Sequence, residues 1–149
     1  MDDKLNHVTV RLLASGDESD LERITRAVTG DGLSVDFRSV VQARLGREAR
    51  ETSVVAEMDG YVVGYMISQI IHGGFGLEKG AWIVTLGVDP QFMGQGIGKK
   101  MALEVFRVFR EKGVRFIYTS VRWDSVDLLS FFKTLGFDRS AFINLGRSL

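Results

Sequence analysis

The chain has 149 residues, 45% of them hydrophobic and 26% charged, with 19 basic side chains against 19 acidic ones. That size suits one domain spanning 1–149 with a sizeable core, and the zero formal net charge removes the electrostatic case for a nucleic-acid or anionic-membrane partner. The absence of Cys excludes a disulfide frame, a Cys-based zinc site and a thiol nucleophile.

In chain order, Met1-Asp2-Asp3-Lys4 lacks the apolar core of a signal peptide. No apolar run approaches the roughly 18 residues of a membrane helix, so a cytoplasmic location is expected. Val8 to Leu13 reads as a first strand. Asp17 to Val28 reads as a helix with Leu21, Ile24 and Val28 inward, broken by Thr29-Gly30-Asp31-Gly32. A second helix is predicted over Asp36 to Leu45, with Phe37, Val40, Val41 and Leu45 inward and Gly46 near its end. Thr52 to Met58 and Tyr61 to Ile71 flank Asp59-Gly60, a strong hairpin signal, and should pair antiparallel. A glycine-rich connection, His72-Gly73-Gly74-Phe75-Gly76, leads to a strand over Trp82 to Val88. Pro90, the single proline, cannot extend a hydrogen-bond ladder and enforces the exit from that strand.

Ile97 to Lys112 has the clearest helical pattern, with Ile97, Met101, Val105 and Phe109 in one stripe widened by Val108, and Gly113 at its end. Val114 to Val121 reads as a strand and Ser125 to Leu135 as a helix with Val126, Leu129 and Phe132 inward and Gly136 as its stop. Phe137 to Leu145 reads as a last strand. The order β-α-α-β-β-β-α-β-α-β describes a mixed sheet flanked by helices, α+β in style.

The stretch between Asp89 and Lys100 carries the chemistry. A strand ends, Gly94, Gly96 and Gly98 follow, and a helix begins. Several backbone N–H groups then point at one spot and the helix dipole adds positive potential, so the expected guest is an anion, a phosphate above all. A P-loop does not fit, because only three residues separate Gly94 from Gly98 and Lys100 takes the place of the Mg²⁺ ligand. A dinucleotide fingerprint does not fit either, because Lys99 stands at the third glycine position and Thr119-Ser120 end the next strand where an acid is needed.

Gln91-Phe92-Met93-Gly94-Gln95-Gly96 matches Gln/Arg-x-x-Gly-x-Gly/Ala and resembles the pyrophosphate loop of the GNAT N-acetyltransferase superfamily. Leu86-Gly87-Val88-Asp89-Pro90 resembles the strand before that loop. Ser125 to Phe137 resembles the family's Asn-x-x-Ala-x-x-Leu-Tyr-x-x-x-Gly-Phe segment. The order of elements agrees over nearly the whole chain, with a length like that of the branch acetylating ribosomal and other protein N-termini. The resemblance implies a mostly antiparallel central sheet flanked by helices and an acetyl-CoA-dependent N-acetyltransferase with no metal. It implies a pyrophosphate held by N–H groups around Met93, Gly94, Gln95, Gly96, Ile97, Gly98 and Lys99 beside Gln91, with Lys99 or Lys100 as a source of charge. Pantetheine would pair with Leu86 and Val88 as an added strand; Gly87 suits the bulge that opens this strand. An N–H of the same strand would polarise the thioester carbonyl.

The acid–base set departs from the family pattern. The strand that often carries a Glu has Val84 and Thr85 there, and Phe132 stands where a Tyr often protonates the thiolate. The candidates are Glu78 and Asp124 as bases and Tyr118 as an acid, with Glu57 and His72 as further proton acceptors. Without a general acid the reaction is slowed by about 10²–10⁴-fold rather than forbidden. Ser125, where Asn is frequent, would contact pantetheine or cap its helix. The acceptor is a small-molecule amine, a protein N-terminus or a lysine, met by the first two helices and the 72–80 connection; Asp31, Asp36, Glu48, Glu57 and Glu78 are acids that suit a cationic amine. Exposed strands in this family often support homodimers. Two rival readings are a non-catalytic acyl-CoA-binding or sensing module of the same fold and a nucleotide-binding protein of another kind.

Overall fold

The computed structural model describes residues 5–30, 47–76 and 78–149. The expected helix over Asp36 to Leu45, together with Asp31 and the side chain of Glu48, lies outside the described residues. After a short 3-10 turn, β1 (Val8–Leu12) leads to helix α1 (Glu18–Thr29), and a single helical turn, α2 (Arg47–Arg50), precedes β2 (Val54–Met58) and β3 (Tyr61–Ile71). Then come β4 (Gly80–Val88), a 3-10 turn at Pro90–Phe92, α3 (Ile97–Glu111), β5 (Ile117–Thr119) and α4 (Val126–Thr134). The five strands form one sheet in the order β1-β2-β3-β4-β5. All neighbours are antiparallel except β4 and β5, which run parallel. This is the α+β arrangement that the pattern of elements predicts.

The hairpin forms as expected: Asp59 and Gly60 both take positive φ (52° and 80°), the twist that a two-residue turn between right-handed strands requires. Alternation along the strands sends residues to two faces. On one, Val54, Ala56, Val63, Met66 and Ile83 pack under Ile97, Met101, Val105 and Phe109 of α3 and Phe132 of α4. On the other, Val55, Val62, Tyr65 and Ile67 pack under Leu21 and Ile24 of α1.

Four expectations change. Val28 is 45% exposed, and the buried third residue of α1 is Thr25, whose hydroxyl finds partners inside. Val126 and Leu129 are exposed while Phe132 is buried; Phe131, Leu135 and Phe137 supply the rest of the α4 contact. The strand over Val114 to Val121 contracts to Ile117–Thr119 because β5 pairs with β4 only from Ala81 to Ile83. The last strand, Phe137 to Leu145, is not formed: the chain beyond Gly136 is irregular, with Ile143 and Leu145 more than four-fifths exposed. It touches β5 through Tyr118 against Phe142 (6.1 Å between ring centroids) and a hydrogen bond from Asn144 Nδ2 to Ser120 Oγ, without a backbone ladder.

Asp17 ties the start of α1 to the sheet. Its carboxylate accepts both Arg11 terminal nitrogens (2.8 and 2.9 Å) and the Ala14 N–H (2.8 Å), while Arg11 Nε reaches Glu57 at 2.8 Å. Burial pushes the Asp17 carboxyl up, but the Arg11 and Ala14 hydrogen bonds outweigh it and hold it below the usual range. A carboxylate depressed in this way contributes stability above its unfolded pKa of about 3.9 and loses it as pH falls through the folded value. Asp17→Asn is therefore expected to cost on the order of 1–3 kcal/mol at pH 7. The deficit should shrink as acid protonates the native carboxylate. Urea unfolding between pH 3 and 7 measures both, and a deficit independent of pH would refute the assignment.

Candidate functional site

The site grows from one irregularity in β4. β3 and β4 pair in register from Gly64↔Val88 to Ile67↔Thr85, then shift by one residue so that Ser68 faces Ile83. Val84 is the extra residue, a bulge. The bulge is thus at Val84 and not at Gly87. Gly87 serves a different end: a Cβ there would lie 2.8 Å from the ring of Tyr65, so only glycine leaves room for that ring. The bulge also flips the phase of the backbone. Ala81 N–H donates to Phe116 O on the β5 side, whereas Asp89 N–H donates to Val63 O on the β3 side. By alternation, Thr85 and Gly87 also turn their backbones to β3, and Leu86 and Val88 turn theirs to the opposite edge.

On that edge β5 has left. It pairs with β4 only as far as Ile83↔Thr119, where Thr119 Oγ1 donates to Ile83 O at 2.9 Å. The two strands splay beyond this point. The opening is a cavity of about 130 Å³ lined by Ile83, Val84, Thr85, Leu86, Thr119, Ser120, Val121, Leu128 and Phe132. An extended chain laid there would find the backbone groups of Leu86 and Val88 on one wall.

β4 then delivers the chain into the glycine loop. Asp89 is buried. Its carboxylate accepts Gln91 N–H (3.0 Å) and Arg23 Nη1 (3.0 Å), and Arg23 also reaches Val62 O (2.7 Å) and lies over the Tyr61 ring. Helix α1 is thereby clamped to the start of the loop. Gly94 and Gly96 take φ of 77° and 81°, a region costly for any side chain, and Gly96 caps α3. Gly98 faces Phe131, with only 3.0 Å for a Cβ. Among the described residues, the N–H groups of Gly94, Gln95, Gly96, Ile97, Gly98 and Lys99 meet no acceptor; the first helical bond runs from Lys100 N–H to Gly96 O. Six donors at one helix N-terminus form an anion cradle. Lys99 is exposed. Lys100 turns away, its ammonium donating to Val8 O, so charge at the loop falls to Lys99. Gln91 and Met93 are exposed beside the cradle. A second cavity of about 220 Å³, lined by His7, Met58, Asp59, Gln91, Phe92 and Gln95, lies on the hairpin side of the loop; it borders no splayed strand.

The acid–base candidates are not brought to the cleft. Glu78 is exposed ahead of β4. Asp124 pairs with Arg122 at 2.7 Å on the surface, and that hydrogen bond holds its carboxyl below the usual range, which weakens it as a base. Tyr118 packs over Gly80 at the far end of β4 and between Phe116 and Phe142. Glu57 is bound to Arg11 and His72 is exposed. Ser125 precedes α4 but its hydroxyl makes no capping bond. Phe132 lines the cleft and stacks edge-on against Phe131 and Phe137. The residues that periodicity overlooked are Thr25 and Tyr65: the Tyr65 hydroxyl is buried beneath α1 and hydrogen-bonded to Thr25. A phenol in the middle of a mostly apolar strand was the available signal.

Among the described residues no helix is long and apolar enough to cross a membrane. A model of the Acetyltransferase (GNAT) family matches residues 20–137. Mycothiol acetyltransferase of Amycolatopsis mediterranei is 32% identical over 88 residues, 57% of this chain and 29% of the relative. N-alpha-acetyltransferase RimI of Mycobacterium tuberculosis is 38% identical over 55 residues, 37% of this chain and 33% of the relative. The matched segments thus span about a third of these relatives' lengths. Among solved structures, the aminoglycoside N-acetyltransferase AAC(6')-Iy in complex with CoA superposes with a TM-score of 0.79 at 16% identity, over 95% of both chains, a likeness of fold.

Proposed function

Because this chain belongs to the GNAT acetyltransferase family, we propose that it moves an acetyl group from acetyl-CoA to a primary amine by direct attack within a ternary complex. The observation that carries this reading is the succession of the two halves of the site along one stretch of chain: β4, from which β5 departs beyond Ile83, runs directly into the loop whose six N–H groups meet no acceptor among the described residues. A diphosphate suits the loop and a peptide-like arm the strand, and acetyl-CoA joins the two. In this reading Gln91 and the loop from Met93 to Lys99 hold the pyrophosphate, Leu86 and Val88 pair with pantetheine, and Ser125 and Phe132 border the thioester end. The amine nitrogen attacks the thioester carbonyl, the C–S bond breaks, the acetyl group stays on nitrogen and the nitrogen's proton passes to solvent. The thiolate, whose conjugate acid has a pKa near about 8.5, leaves without a general acid, in keeping with Phe132 on the cleft wall.

The acceptor class follows from the relatives in part. One acts on an aminoglycoside and another carries the name of an N-alpha-acetyltransferase, so small cationic amines and peptide N-termini head the candidates. A second reading, an acyl-CoA sensor without turnover, gains support from the lack of a carboxylate among the cleft-lining residues. Calorimetry with CoA and thiol release over kanamycin, putrescine and an alanyl tetrapeptide amide separates the two. Micromolar CoA binding with turnover of at least one amine is expected. Binding with no turnover favours the sensor, and no CoA binding removes both.

A further inference from the structure

The loop after β4 divides in two by what its amides meet. Asp89 N–H donates to Val63 O (2.8 Å), Gln91 N–H to the Asp89 carboxylate (3.0 Å), Phe92 N–H to Asp89 O (2.8 Å) and Met93 N–H to Pro90 O (3.5 Å). From Gly94 to Lys99 no N–H meets an acceptor among the described residues. The engaged half therefore aims the free half, and Asp89 takes part in three of its four bonds. Asp89 is held in turn by a side chain from another element. Arg23 of α1 donates through Nη1 to the Asp89 carboxylate at 3.0 Å and through Nη2 to Val62 O at 2.7 Å. The β3–β4 ladder ends at Gly64↔Val88. Arg23 thus joins the two strands just past their last pair, where the chain leaves the sheet.

The surroundings fix the guanidinium. It lies 4.4 Å from the centroid of the Tyr61 ring, Tyr61 meets Phe92 of the 3-10 turn at 6.5 Å, and Asp20 adds a contact at 3.3 Å. Asp89 is 7% exposed, and among the described residues Arg23 is the one cation within reach of it. A buried carboxylate stripped of its cation costs more than an ordinary lost hydrogen bond. The turn would open to bring it to water and would carry the following amides along. Held in place, the turn is ordered on folding rather than on binding, which favours the ligand. Resting on the acetyltransferase reading above, we infer that Arg23 is a positioning residue for the coenzyme: acting through Asp89, it holds the 3-10 turn from which the amides of Gly94 to Lys99 are aimed at the diphosphate. Helix α1, on the opposite face of the sheet from α3, thereby sets the affinity of a site built at the start of α3.

The test is CoA titration calorimetry and a thermal melt on each variant, with acetyl-CoA kinetics over the alanyl tetrapeptide amide and putrescine. Arg23→Met keeps much of the side chain's bulk and removes its charge; CoA affinity should fall about tenfold, on the order of one hydrogen bond to a charged group. The loss should appear in KM for acetyl-CoA and not in kcat, because a diphosphate is gripped alike before and during the chemical step. Arg23→Lys reaches the carboxylate or Val62 O but not both, and should recover part of the affinity. Asp89→Asn keeps an acceptor for Gln91 N–H and drops the ion pair. Alone it should lose affinity to a similar extent, and it carries the test if Arg23→Met does not fold. Added to Arg23→Met it should weaken CoA no further, because both substitutions break one link. Arg26→Met is the control: its ion pair stays within α1, to Glu22 at 2.7 Å, and CoA affinity should not change. A lower melting temperature with wild-type CoA affinity in Arg23→Met or Asp89→Asn overturns the assignment and leaves the acetyltransferase reading intact. So does an additive loss in the double variant. The calorimetric comparison decides on Arg23 whether or not an amine is turned over, and a wild-type protein that binds no CoA overturns both the reading and this proposal.

Discussion

Gly96→Glu is expected to weaken CoA binding by ~10²-fold or more, the loss of two charge-assisted N–H contacts at roughly 1.5 kcal/mol each. Gly96 stands at the N-terminus of α3 with φ of 81°, where its N–H and those of Ile97 to Lys99 meet no acceptor among the described residues. A carboxylate there repels a diphosphate and supplies an internal anion for the same amides. The substitution also strains the backbone, because a side chain in the left-handed region costs about 1–2 kcal/mol. Gly113→Glu separates the two effects. Gly113 has φ of 74° with open space around it, at the other end of α3. It should show a comparable drop in melting temperature and unchanged CoA affinity. Equal CoA affinity in wild type and Gly96→Glu would remove the phosphate role from the loop.

The fold was legible where one physical signal dominated. The Asp59-Gly60 turn, the stripe from Ile97 to Phe109 and the proline exit from β4 appear where periodicity and turn chemistry put them. The anion cradle was legible for the same reason, since Gly94 and Gly96 take the positive φ that only glycine adopts at little cost. Legibility failed where packing from afar decides. Val28 and Val126 are apolar at helical spacing, yet both are exposed. Phe137 to Leu145 has strand-forming residues, but formation of a strand depends on a neighbour, and beyond Ile83 β5 has splayed away. The bulge was misplaced because glycine is a general sign of backbone irregularity. At position 87 the irregularity is a ring pressed against the strand, and the bulge at Val84 carries no residue-type signal. The bond between Thr25 and Tyr65 was hidden for a related reason: the two lie on different elements, and only the packing of α1 on the sheet brings them together.

Gly87→Ala tests that correction directly and should destabilise the protein by about 1–3 kcal/mol, the usual cost of overpacking a closed site. The added methyl would sit 2.8 Å from one ring carbon of Tyr65 and 3.1 Å from its hydroxyl oxygen. The ring has little freedom to retreat, being 2% exposed under α1 and tied by its hydroxyl to Thr25. The two residues touch, so their costs should couple. In a Tyr65→Ala background the methyl gains the vacated space, and the further cost of Gly87→Ala should fall close to zero in urea unfolding. Were Gly87 instead the residue that bulges, its replacement would disturb the β3–β4 register whatever stands at position 65, and the two costs would add.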